Sequence, residues 1–303
     1  MKKRRRSRAF LYSFAGTLLV LILLFVAIYE SPPAEVTTQS VPANLPQYSA
    51  TWGPFVPAIA LQMGFENFTM IRDANQSILL GGDILLNMTA PPAVVENSDV
   101  MYHLDVSVAV PNSTYDVFFL KPASYARISL QFNVPGQSQD GGAASLYQIT
   151  DAYGGTEEIS WVGLFPNQDA IAFSAGQVAG EQTLDIAFDT MNSTIPQMIS
   201  FTTIPQMLYS VGGTTGHFAL GIQNFPGLVS TGLLTLISVD PLQAYTQSSF
   251  VVQFTSPSIA TAQVPTMKAD YLASHDFTVY GSDVKAIVLT KSSGLQAAVE
   301  QVG

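Results

Sequence analysis

VMYHLDVSVAV, residues 100–110, decides the fold class. Met101, His103, Asp105 and Ser107 fall on one side of an extended chain, and Tyr102, Leu104, Val106 and Val108 on the other. Successive side chains of a strand point to opposite faces, so this period of two predicts a half-buried antiparallel strand. SYARISLQFNV, residues 124–134, alternates in the same way and is read as a second strand. Further strands are expected at residues 77–80, 84–89, 115–120, 158–164, 170–174, 182–188, 216–222, 228–239, 250–255, 277–280 and 284–290. Turn residues punctuate them, among them Gly81-Gly82-Asp83, Asp140-Gly141-Gly142, Gly154-Gly155 and Pro226-Gly227. Only residues 294–301 suggest a helix in this part of the chain.

Many short strands at this spacing point to an all-β architecture of β-sandwich type. Two tandem sandwiches fit the length better than one, giving a first domain over residues 51–190 and a second β-rich domain over 191–303. Near that boundary Thr194-Ile195-Pro196-Gln197-Met198 recurs as Thr203-Ile204-Pro205-Gln206-Met207. Proline removes a ladder donor, so the repeat reads as a hinge or an exposed apolar edge.

The N-terminus has a different character. Residues 10–29 (FLYSFAGTLLVLILLFVAIY) hold no charge and follow Lys2, Lys3, Arg4, Arg5, Arg6 and Arg8. As a helix this run is about 30 Å long, the thickness of a bilayer's hydrocarbon core. The basic residues stay cytoplasmic, so residues 1–9 are expected inside, 10–29 as an uncleaved signal-anchor helix, and the remainder outside. Residues 30–50 contain four prolines and read as a stalk. Arg8-Ala9-Phe10-Leu11 resembles the cleavage site of class III, type IV pilin-like leaders. That resemblance covers about the first tenth of the chain. It implies a subunit cut after Ala9 that polymerises through its apolar helix. Phe14 stands where bacterial pilins carry glutamate, and Pro32 and Pro33 stop the helix at the membrane exit.

Composition excludes several classes. Beyond the anchor and its exit residue Glu30, 21 acidic residues face 6 basic ones. Nucleic-acid binding needs a basic stripe, and none is present. There is no Lys or Arg from Ile128 to Met267, so apolar burial and backbone pairing must carry stability. Acid conditions would leave few charges on such a domain, and we expect a surface protein of an acid-tolerant cell, archaeal cells among the candidates. With no cysteine there is no disulfide or cysteine-ligated metal. Candidate N-glycosylation sites are Asn67, Asn75, Asn87, Asn112 and Asn192.

No catalytic constellation emerges, and no cofactor or metal site is assigned. His103, His217 and His275 read as ordinary strand and loop histidines, since no Gly-x-Ser-x-Gly elbow accompanies them. Asp151, Glu157 and Glu158 match no defined calcium loop. Asp185 and Asp189, four apart in an expected strand, would stand about 13 Å apart, too far to cooperate. Met191, Met198, Met207 and His217 are soft donors for Cu(I), but methionine more often fills an apolar core. Trp52, Tyr102, Tyr125, Tyr147, Tyr153 and Trp161 suit either a ligand groove or the core. The expected function is a structural or interaction role at the cell surface: envelope component, adhesion module or accessory subunit. Its partners would be the bilayer, through residues 10–29, and other envelope proteins. The alternatives are a pilin-like subunit and a tethered ligand-binding protein or hydrolase.

Overall fold

The computed structural model describes residues 35–45, 51–73, 95–96, 98–109, 112–132, 139–140, 145–153, 156–175, 177–200, 203–212, 219–224, 229–240, 245–270 and 274–291. The expected anchor, the helix at 294–301, and the expected strands at 77–80 and 84–89 lie outside these residues. Among the described residues no helix is long and apolar enough to cross a membrane.

Thirteen strands form one sheet. They are β1 (Glu35–Gln39), β2 (Ala60–Asn67), β3 (Val100–Val108), β4 (Ser113–Leu120), β5 (Gln139–Asp140), β6 (Ser145–Tyr153) and β7 (Thr156–Phe165). Then come β8 (Ala170–Ala175), β9 (Ala219–Asn224), β10 (Ser230–Asp240), β11 (Tyr245–Phe254), β12 (Ser274–Tyr280) and β13 (Asp283–Lys291). The spatial order is β1-β12-β13-β11-β10-β9-β2-β3-β4-β8-β7-β6-β5, antiparallel from β12 across to β5. The strand-rich class is as expected. Two tandem sandwiches are not what the described residues form: strands from both expected domains share this sheet, joined where β2 pairs with β9. Val36–Gly303 group as one compact unit.

Two expected strands are helices. Five helices are described: α1 (Phe68–Asp73), α2 (Pro122–Phe132), α3 (Gln177–Met191), α4 (Thr203–Ser210) and α5 (Pro257–Asp270). α2 replaces the strand expected at 124–134. Proline suits a first helical position, and the buried residues are Tyr125 and Ile128, one turn apart, while Leu130 is 73% exposed. α3 replaces the strand expected at 182–188 and buries Thr183, Leu184, Ala187 and Phe188, a helical stripe. Part of the expected stalk is also a strand: β1 lies at the sheet edge, where the Thr37 and Thr278 hydroxyls are 3.0 Å apart.

The main core covers one face of the sheet. Met63, Phe65, Leu104, Val106, Val117, Phe119, Leu220, Ile222, Leu234 and Val251 meet Leu184, Ala187 and Phe188 of α3 and Ile204, Met207 and Leu208 of α4. The recurring pentapeptide takes two conformations here. Its first copy leads into a 3-10 turn (Met198–Ser200) and its second into α4, and Met198 and Met207 are both buried. Its two methionines and Ile204 fill the core, while Thr194, Pro196 and Thr203 are exposed. Phe118, Ile171, Phe173 and Phe250 alternate with core-facing residues and are buried on the opposite face.

The registers reveal that the sheet is an internal duplication. The order β2-β3-β4-β8-β7 is matched by β9-β10-β11-β13-β12. The irregularity of β3 against β4 falls between Val100 and Tyr102, with Val100 opposite Leu120. That of β10 against β11 falls between Ser230 and Gly232, with Ser230 opposite Phe254. The Leu120 amide donates to the Asp169 carbonyl at 2.8 Å, and the corresponding Phe254 amide to Ser282 at 2.9 Å. The next amides follow suit, Lys121 donating to Asp99 at 3.0 Å and Thr255 to Val229 at 3.2 Å. Each half then enters a helix that opens on proline, Pro122 or Pro257. Counted from these landmarks, Gly64 corresponds to Gly221, and these two residues face each other across the β2–β9 seam. A pseudo-two-fold axis passes between them.

Candidate functional site

On the face away from the main core, the centre of the first half carries four ionisable side chains. Alternation puts Glu66 of β2, His103 and Asp105 of β3, and Asp116 of β4 on that face. His103 Nδ1 lies 2.5 Å from Glu66 Oε2, and Nε2 lies 2.9 Å from Asp116 Oδ1. His103 is 1% exposed, with Phe118 stacked on its ring at 4.8 Å and Phe68 of α1 at 6.3 Å. α1 is held in place by Asn67, whose Oδ1 accepts the Met70 amide at 3.1 Å.

Burial alone would push His103 down, but the charges and hydrogen bonds of Glu66 and Asp116 outweigh it and raise its pKa to about 10. His103 is therefore an imidazolium at neutral pH. Burial and the Glu66 and Asp116 charges lift Asp105 to about 6, against the opposing pull of His103. Asp105 lies over Gly64, where an added Cβ would collide with its Oδ1.

This arrangement is a charge network. Both ring nitrogens are engaged, so His103 has no lone pair for a metal and no free site from which to act as a base. Among the described residues no group of three or more His, Cys, Asp or Glu side chains is disposed to hold a metal ion. The side chain of Asp116 is 47% exposed, so the cluster presents negative charge to its surroundings.

The second half supplies an internal control. Glu66, His103, Asp105 and Asp116 correspond there to Gln223, Leu233, Thr235 and Phe250. The same scaffold folds without the charges, so the cluster is not a requirement of the architecture. Glu66, Asp105 and Asp116 were not singled out from the sequence. The available signal was the placement of His103 and Asp105 on one side of an alternating strand, with Asp116 in the next strand.

The other expected residues scatter. His217 lies outside the described residues, and His275 lies in β12. Asp151 and Glu158 pair across the β6–β7 hairpin, with Glu157 beside them. Asp185 and Asp189 lie one turn apart on α3, a correction of the strand spacing; burial, then Glu181 and Asp189, raises the Asp185 pKa. Trp52 and Trp161 belong to the core, against which the partly buried Tyr102 packs, and Tyr125 is also buried. Asn112 and Asn192 are exposed, Asn67 caps α1, and Asn75 and Asn87 lie outside the described residues. Near the seam, an apolar cleft of about 450 Å³ is lined by Ile59, Leu61, Met198 and Ile204, with Asn224 and Thr231.

No family model and no curated protein matches the sequence. Among solved structures the chain is similar to TP0453 at 9% identity. Crystal form I gives a TM-score of 0.47, covering 84% of this chain and 98% of TP0453. Form IV gives 0.45, covering 85% and 97%.

Proposed function

We propose that the chain is a membrane-anchored, extracytoplasmic protein with a structural or interaction role at the cell surface. The uncharged residues 10–29 and the basic residues before them support an anchor in the plasma membrane with the β domain outside. One observation carries the non-catalytic part: both nitrogens of His103 are held by carboxylates, which leaves the cluster to present charge and not to transfer protons. Other envelope proteins are the expected partners.

Gentle extraction from the native membrane, followed by mass spectrometry of the N-terminus and of co-purifying species, tests this reading. A peptide beginning at Met1 or Lys2, together with distinct partners, is the expected result. A chain beginning at Phe10 would instead make it a pilin-like subunit and direct attention to filaments. The apolar cleft beside the seam favours a second reading, a tethered ligand-binding protein. Native mass spectrometry that finds a small apolar molecule retained by the domain would support it.

A further inference from the structure

Asp283 is 0% exposed, and neither of its carboxyl oxygens has a hydrogen-bond partner. It opens β13, opposite Gln253 of β11, and its counterpart in the first half is Ala170, opposite Phe119. A position that holds a small apolar residue in one half thus holds an unsatisfied acid in the other. The groups that α4 and β11 present to it are neutral. Gln206 of α4 donates to the Tyr280 carbonyl at 3.2 Å and lies 3.3 Å from the Ser282 hydroxyl. Gln253 accepts from Thr231. Tyr209 of α4 meets Tyr280 edge-on, and Lys285, two positions along β13, makes no hydrogen bond to Asp283. α4 and β11 contain no charged residue. The turn itself is pinched: Gly281 has φ +57, and a Cβ there would stand 3.3 Å from Val41 and 3.6 Å from Gln206. Val41 lies just beyond β1.

We propose that Asp283 is an acid-operated latch that docks α4 and the N-terminal strand β1 onto the β12–β13 turn while protonated, and loosens them when it ionises. A carboxylate created in this buried slot must draw in water or a cation, and the readiest route is to part the turn from Gln206 and Val41. Burial raises this acid to about 7, opposed more weakly by the Gln206 and Gln253 amides, which stand close to the carboxyl without completing a hydrogen bond, and this puts the transition near neutrality. The direction follows: the contribution is complete below the ordinary value of 3.8 and is lost as pH rises through 7. The latch would favour the closed form in acid surroundings.

The test compares full-length wild type, Asp283→Asn and Asp283→Ala in detergent, by urea unfolding from pH 4 to pH 8. The wild-type folding equilibrium constant, divided by that of the variant, should fall about 10²- to 10³-fold across that range. The ratio cancels other titrating groups, His103 and Asp105 included. Should Asp283→Asn fold poorly, Asp283→Ala copies the residue that the first half already accommodates. Limited proteolysis around residues 36–45 supplies the local readout: cleavage of wild type relative to Asp283→Ala should rise from pH 5.5 to pH 8. A ratio constant within about threefold, or cleavage that is the same in both proteins at both pH values, overturns the proposal.

Discussion

Replacing His103 by leucine, the residue at the corresponding position of the second half, removes the cation from between Glu66 and Asp116 and leaves their charges beside Asp105. The rise in the His103 pKa from 6.5 to about 10 corresponds to about 5 kcal/mol at most. Solvent at Asp116 screens part of this, and about 3 kcal/mol is the better expectation at pH 6, within the usual cost of breaking a buried pair. Because the folded-state pKa is raised, the contribution is whole below 6.5 and is lost as pH climbs through 10. The penalty of His103→Leu should therefore shrink steadily between pH 6.5 and pH 10. The matching quadruple variant, Glu66→Gln, His103→Leu, Asp105→Thr and Asp116→Phe, removes charges and cation together. It should fold within about 1 kcal/mol of wild type, since a well-packed apolar replacement of a buried network is often neutral. Urea unfolding followed by Trp52 and Trp161 fluorescence, both buried, measures each. Wild-type stability for the single variant at pH 6, or an unfolded quadruple variant, would show that the His103 cation does not offset these carboxylates.

Gly64→Ala drives a Cβ against Asp105 and should cost about 1–3 kcal/mol by thermal unfolding, a loss relieved when Asp105→Thr is added. Asn67→Ala removes the cap of α1 and should cost about 1 kcal/mol, read by the same assay. If the native protein is glycosylated, peptide mass spectrometry should find the sugars on exposed Asn112 and Asn192 and not on Asn67. Glu181, Asp185 and Asp189 repeat every fourth residue along α3, so Asp185→Lys should add about 0.5 kcal/mol, an increment that fades in high salt.

The strands were legible because one face of the sheet is a continuous apolar core: Tyr102, Leu104, Val106 and Val108 alternate with more polar residues, as a half-buried strand must. The same pattern misled at residues 124–134. There alternation and helical spacing coexist in one sequence, and the Ser124 and Arg127 side chains bind Asp99 at 2.7 Å each, which secures the helix. Residues 182–188 failed likewise, since the Thr183, Leu184, Ala187 and Phe188 spacing was the truer signal. His103 was expected on the more polar side of its strand and is nevertheless buried, because Phe68 and Phe118 cover that side. The duplication was invisible because the corresponding residues differ in chemistry, Glu66 against Gln223 and Asp116 against Phe250. Only register relates them.

The two halves form one sheet through β2 and β9. The chain has no cysteine, so the engineered pair Gln62→Cys and Gln223→Cys, directly opposite each other across that seam, reports on it without interference. Opposed antiparallel residues lie about 4.5–5.5 Å apart at Cα, within reach of a disulfide. Mild oxidation should close an intramolecular bond nearly quantitatively in the folded monomer, detectable by peptide mass spectrometry, and should leave the far-UV spectrum unchanged. Thiols that stay free in the folded protein, or that link only between molecules, would contradict a single sheet and return the chain to two separate domains.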